Sequence, residues 1–161
     1  MRILGIDPGF AITGYSIIDY EGNKFKLITS GAILTEAHTA FSLRIEKIFK
    51  DLEQIIDEFK PEAMAIEELF FNNNAKTAIN VAQARGVILI AAKLKDIKIY
   101  EYTPLQVKQA VVGYGRADKM QVQSMVKIIL NEEKLPKLDD ITDSMAVAIC
   151  HAHSFKFAEC L

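Results

Sequence analysis

Four acidic residues stand where a carboxylate could do chemistry: Asp7, Glu67, Asp140 and Asp143. Each lies at the end of a stretch that is otherwise strongly apolar. Asp7 follows Ile3-Leu4-Gly5-Ile6, Glu67 follows Ala63-Met64-Ala65-Ile66, and the last two precede Ala146-Val147-Ala148-Ile149. Hard oxygen ligands in that number suit a pair of Mg²⁺ ions ~3.5 to 4 Å apart, one activating a water and one stabilising the leaving oxygen in phosphoryl transfer. Each acid also has an ordinary structural use. Asp7 before Pro8-Gly9 is usual turn chemistry, and Asp140 and Asp143, spaced i and i+3, suit an N-cap and the positive end of a helix dipole. Their number and their shared placement at element ends are what favour chemistry over capping.

The elements that must position these acids can be read from periodicity. Ile3 to Asp7 and Thr13 to Ile18 read as two strands joined by the Pro8-Gly9 turn. Glu21-Gly22-Asn23 then turns the chain into a third strand reaching Leu34. Phe41, Ile45, Ile48, Leu52, Ile55, Ile56 and Phe59 repeat at helical spacing from Ala40 to Phe59, and Pro61 closes that helix. A short strand ends in Glu67-Glu68, a loop follows through Asn74, and a second helix runs from Ala75 to Leu94. Lys98 to Tyr102 is a strand, Thr103-Pro104 opens a helix to about Val112, and Asp118 caps another from Lys119 to Leu130. Asp139 or Asp140 starts a last helix through His153. The order β-β-β-α-β-α-β-α-α-α predicts an α/β fold, a mixed five-stranded sheet covered by helices, with ligands collecting at strand carboxyl ends. Residues 1–155 are expected to form a single domain, with 156–161 as a C-terminal tail.

The 161 residues are 50% hydrophobic, enough for one compact domain. No apolar run reaches ~18 residues and the N-terminus lacks a signal-peptide pattern, so neither a membrane span nor a leader is expected, and a cytoplasmic location is. Cys150 and Cys160 show no metal or redox spacing. His38, His151 and His153 are expected in solvated or capping roles. The net charge of −2 conceals a pattern: residues 1–75 carry 7 Lys/Arg against 12 Asp/Glu, residues 76–137 carry 11 against 5, and residues 138–161 carry 1 against 4. A basic middle between acidic ends fits a metal-dependent enzyme acting on a polyanion, although solvated helix faces would give the same numbers.

The motifs taken together resemble the RuvC family, bacterial crossover-junction endodeoxyribonucleases with a ribonuclease-H-like fold. The resemblance is carried by Gly5-Ile6-Asp7-Pro8-Gly9 with Thr13-Gly14-Tyr15, by Ala65-Ile66-Glu67, and by Asp140-Ile141-Thr142-Asp143 with Ala146-Val147-Ala148-Ile149. Gln83-Ala84-Arg85-Gly86, Gln106-Val107-Lys108-Gln109 and Lys119 with Gln121-Val122-Gln123 match as well. It implies that Asp7, Glu67, Asp140 and Asp143 bind two Mg²⁺ ions, with Mn²⁺ as a substitute, and that Lys108, Lys119 and Arg116 contact DNA. It also implies that Phe70, with Phe71 competing, meets the junction. Glu68 adds a second carboxylate beside Glu67; adjacent strand residues point to opposite faces, and the motif selects Glu67. The implied substrate is a four-way junction cut in pairs to 5′-phosphate and 3′-hydroxyl ends, with RuvA and RuvB as partners.

Such paired cutting calls for a homodimer. The Ala75–Leu94 helix is apolar around most of its circumference, so Ala78, Ile79 and Ala82 are expected to face the domain's own core and Val81, Ile88 and Leu89 a second copy. Two other functions compete. An actin- or sugar-kinase-like ATP-binding domain shares the strand–Asp-x-Gly–strand hairpin, but this chain supplies one such hairpin where those enzymes need two. A non-catalytic junction-binding module would use the four acids only as caps.

Overall fold

The computed structural model describes residues 1–68 and 75–159. Phe70 and Phe71 lie outside the described residues, as does Cys160. The elements follow the expected order: β1 (Arg2–Asp7), β2 (Ile12–Glu21), β3 (Lys24–Leu34), α1 (Phe41–Phe59), β4 (Ala63–Glu67), α2 (Ala75–Leu94), β5 (Lys98–Tyr102), α3 (Pro104–Val112), α4 (Lys119–Leu130) and α5 (Asp139–Glu159). The sheet order is β3-β2-β1-β4-β5. β1 is central, antiparallel to β2 and parallel to β4.

Local chemistry accounts for the boundaries. Gly22 and Asn23 both have positive φ, the requirement of a tight two-residue hairpin between right-twisted strands. The Thr103 hydroxyl accepts from the Gln106 N–H, and the Gln106 side chain accepts from the Thr103 N–H; Asp118 and Gln121 form the same reciprocal cap on α4. α1 ends at Lys60, left-handed at φ 47°, before Pro61. α5 continues past His153 to Glu159.

Strand alternation divides the core. Leu4, Ile6, Ile17, Ile33, Met64 and Ile66 pack with α1 and α2, whereas Ile3, Ile18 and Ala65 pack with α3, α4 and α5. Two expectations are corrected. The faces of α2 differ from expectation at three residues: Ile88 is fully buried in the chain's own core, whereas Ile79 is 60% exposed and Ala82 is exposed; Ala78, Val81 and Leu89 are half-buried. His151 is fully buried rather than solvated, because α5 extends across the sheet and carries it inward; its Nδ1 lies 2.7 Å from the Tyr102 hydroxyl. His153 is half-buried, with Nδ1 3.0 Å from the Ala110 carbonyl oxygen.

Candidate active site

β1 and β4 run parallel with Ile6 opposite Ile66, so the next residues, Asp7 and Glu67, end neighbouring strands side by side. Both share strand parity with residues of the α5 face, Ile3 and Gly5 in one strand and Ala65 in the other. Glu68 has the opposite parity. Its N–H donates to the Tyr102 carbonyl at 2.8 Å, continuing the pairing of β4 with β5.

Two glycines bring α5 to these acids. A Cβ on Gly14, which pairs with Asp7, would lie 2.0 Å from the Asp140 carbonyl oxygen. One on Gly5 would lie 2.1 Å from the Ser144 carbonyl oxygen and 2.9 Å from the Ala148 side chain. The helix therefore rests on bare backbone of β1 and β2, a separation that any side chain would prevent. Its first turn, with Asp140 and Asp143, is set beside Asp7. The turn after Asp7 is held by the Thr13 hydroxyl, which donates to the Gly9 carbonyl at 2.7 Å, and by the Arg44 guanidinium, 3.8 Å above the Phe10 ring.

The electrostatics show that these carboxylates share one environment. Burial, then Asp143, Glu67 and Asp140, push the Asp7 carboxyl up to about 7, with Lys119 opposing. Burial and Asp143 push Glu67 up to about 7 as well, with Lys108 opposing. Asp143 is raised by burial, against the pull of Lys119. Like charges held this close resist joint ionisation until a cation lies among them. Among the described residues no three His, Cys, Asp or Glu side chains are already gathered into a cation-holding group. The all-oxygen donor set fits a hard divalent ion.

A cleft of about 240 Å³ opens here, lined by Glu67, Asp143, Lys108 and Lys119 with Val107 and Val122 behind them. The Lys119 ammonium lies 2.9 Å from Asp139 and 3.5 Å from Asp143. Two of the predicted acids, Glu67 and Asp143, and both predicted lysines line this cleft; Asp7 and Asp140 stand off its lining, with Asp7 coupled electrostatically to the other three acids. Arg116 is exposed in the connection between α3 and α4 and does not line the cleft. The sequence assigned no role to two participants: Asp139, read only as a helix start, and Gln123, matched only as part of a motif, whose side-chain amide donates to Asp139 at 3.0 Å. Gly5 and Gly14 were marked by lying inside strand patterns, but the helix that needs them could not be identified from that.

Residues 3–151 match the family described as crossover junction endodeoxyribonuclease RuvC. A crossover junction endodeoxyribonuclease RuvC from Alkaliphilus metalliredigens is 60% identical, covering 98% of this chain and 96% of its own length. Another from Alkaliphilus oremlandii is 58% identical over 99% of this chain and 97% of its own. Among solved structures, Thermus thermophilus RuvC in complex with Holliday junction substrate superposes with a TM-score of 0.94 at 32% identity, covering 98% of this chain and 96% of that one. The fold is accordingly that of a ribonuclease-H-like resolvase.

Proposed function

The chain belongs to the RuvC family of crossover junction endodeoxyribonucleases, and we propose that it resolves four-way DNA junctions by hydrolysing one phosphodiester in each of two opposed strands. The observation that carries this is a cleft lined by Glu67 and Asp143 with Lys108 and Lys119, beside which Asp7 feels the charges of Asp143, Glu67 and Asp140. Neither competing function needs that combination: caps do not require mutually repelling acids, and an ATP site requires a second phosphate hairpin.

Asp7, Glu67, Asp140 and Asp143 are the residues that would hold two Mg²⁺ ions, or Mn²⁺ in their place. When bound, such ions make water nucleophilic at neutral pH and stabilise the departing oxygen. The protein's own part is positioning. Strand pairing fixes Asp7 against Glu67, and the glycine seat of α5 fixes Asp143 against both. Lys108 and Lys119 supply ammonium groups to the phosphates on either side of the cut, and Arg116 extends the basic surface outward. The apolar wall of Val107 and Val122 keeps bulk water from one side of the cleft.

Two active sites related by a two-fold axis would cut both strands, and the exposed stripe of α2 supplies a surface for the second copy. Ile79, Ala82, Gly86 and Ile90 recur along it, and a Cβ on Gly86 would meet open space. Small residues at Ala82 and Gly86 let a second helix approach closely. Cooperation with RuvA and RuvB rests on family membership alone.

The test is incubation of the chain with an end-labelled four-way junction in Mg²⁺. Two symmetric nicks, resealable by DNA ligase and therefore bearing 5′-phosphate and 3′-hydroxyl ends, are expected. A chain that retards the junction but cuts it in neither Mg²⁺ nor Mn²⁺ would be a binding module instead. Sedimentation of the same sample should give twice the chain mass, and Ile79→Glu should lower it.

A further inference from the structure

We propose that Asp139 is a positioning residue for this reaction: it anchors the Lys119 ammonium at the rim of the cleft, so that the charge stays available to DNA phosphate when Asp143 is engaged by a cation. The inference rests on the nuclease function proposed above and concerns a carboxylate outside the four acids of the site.

The anchor joins the N-termini of two helices. Lys119 is the first residue of α4, whose backbone is fixed by the reciprocal Asp118–Gln121 cap, and Asp139 is the first residue of α5. The Lys119 Nζ lies 2.9 Å from Asp139 Oδ2 and 3.5 Å from Asp143 Oδ2. The other Asp139 oxygen, Oδ1, accepts from the Gln123 amide at 3.0 Å, one turn along α4 from Lys119. The two oxygens are thus divided, one holding the carboxylate to α4 and the other facing the ammonium.

The two acids that share Lys119 differ in one decisive respect. Asp143 acts on both Asp7 and Glu67, so it belongs to the cluster a cation would occupy. Asp139 acts on Asp143 but on neither Asp7 nor Glu67, and it does not line the cleft. A divalent charge among the clustered acids would draw Asp143 away and repel the ammonium. A lysine with Asp143 as its one partner would then swing into solvent, regaining the rotamer freedom that binding must later remove. Asp139 keeps its hold because it stands off the cleft lining and is tied to α4 through Gln123. Stability alone gives little reason for the pair: both side chains are half exposed, and pairs of that kind contribute little to folding.

Single-turnover cleavage of a labelled four-way junction in Mg²⁺ tests this with a double-mutant cycle on the full chain. Asp139→Asn should slow cleavage by roughly fivefold, the upper end for an exposed ion pair. Junction affinity measured in Ca²⁺ should hold or tighten, because a negative charge has been removed beside phosphate. In a Lys119→Ala background, the residual cleavage should change by less than about twofold on adding Asp139→Asn, since the residue acts through the lysine. Asp139→Glu should recover most of the rate, and Gln123→Ala should lose less than Asp139→Asn. A helix-capping role predicts instead that the loss persists without Lys119 and that the thermal midpoint falls with it; either result overturns the inference, as does an Asp139→Asn chain that cuts at the parent rate. A parent that cuts no junction overturns the nuclease function itself.

Discussion

On the α1/α2 face the sheet presents Leu4, Ile6, Ile17, Met64 and Ile66, all large and fully buried against Ile48, Leu52 and Ile88. On the other face the same strands present Ile3, Gly5, Ser16, Ile18 and Ala65, ending in Asp7 and Glu67. Strand alternation alone separates the two sets. The large residues hold α1 and α2 at a side chain's distance. The small ones let α5 approach the backbone, and that approach delivers Asp140 and Asp143 to the strand ends. Several polar groups are buried around α5, namely the Tyr102–His151 pair, Thr142 and Ser144, and burial lowers His151 to about 4, keeping its ring neutral. One face holds the fold together, and the other converts helix position into carboxylate position.

Removing charge from the α5 face should have the largest effect. Asp7→Asn should reduce junction cleavage in Mg²⁺ by at least ~10³-fold, because cation-held charge stabilisation amounts to several kcal/mol. Junction retardation in a mobility assay should persist. Near-parental cutting would exclude Asp7 from the site. The same change at Glu68, on the opposite strand parity, should leave the rate within about twofold, as for a residue away from the reacting groups.

Moving the helix without touching a charge comes next. Gly14→Ala places a methyl 2.0 Å from the Asp140 carbonyl, a contact only backbone displacement can relieve. A shift of ~1 Å at a reacting centre costs on the order of 10²-fold, so cleavage should fall that far in single-turnover kinetics, with a stability loss of about 1–3 kcal/mol in denaturant titration. Loss of stability with an unchanged rate would mean that α5 can move without carrying its acids.

Leu52→Ala sharpens the contrast from the other face. Leu52 is fully buried between α1 and the sheet, so truncation should cost ~2–5 kcal/mol in urea unfolding while the rate per folded molecule stays within about twofold of the parent. A rate loss matching that of Gly14→Ala would show that the two faces are mechanically coupled.

How much of this was legible in the chain depends on whether the information was local. Alternation, caps and turns are local, so element order, the Thr103 and Asp118 caps and the placement of acids at element ends could all be read. The α2 faces could not, because a helix apolar on most sides does not say which side is covered; Ile88 and Ile79 have the same chemistry and opposite exposures. The burial of His151 was not legible because the partner that covers it, Tyr102, is 49 residues away. The motif marked Lys119 but not its pairing with Asp139, which exists only where two helix N-termini meet.

The smallest expected effect concerns pH and distinguishes the faces thermodynamically. Without a cation, Asp7 and Glu67 titrate at about 7 in the folded chain, against 3.8 and 4.5 for the ordinary groups. Between those values the folded state binds more protons than the unfolded one, so their contribution to stability is greatest below about pH 4 and declines as pH rises toward 7. His151 works in the other direction: its folded value of about 4 lies below the ordinary 6.5, so stability is lost as pH falls through that window. The parent's own curve therefore mixes opposing slopes, and the difference between parent and Asp7→Asn isolates the carboxylate. In EDTA, the variant's thermal midpoint should exceed the parent's by a few degrees at pH 8, and the gap should shrink toward pH 5 as Asp7 becomes protonated. Mg²⁺ should close or invert the gap at pH 8, because the ion stabilises the ionised form that the apo protein disfavours. A gap independent of pH would mean that the amide stabilises by packing and that Asp7 is not held against its charge. A change on the other face, such as Leu52→Ala, should lower the midpoint by similar amounts at pH 5 and pH 8, with or without Mg²⁺.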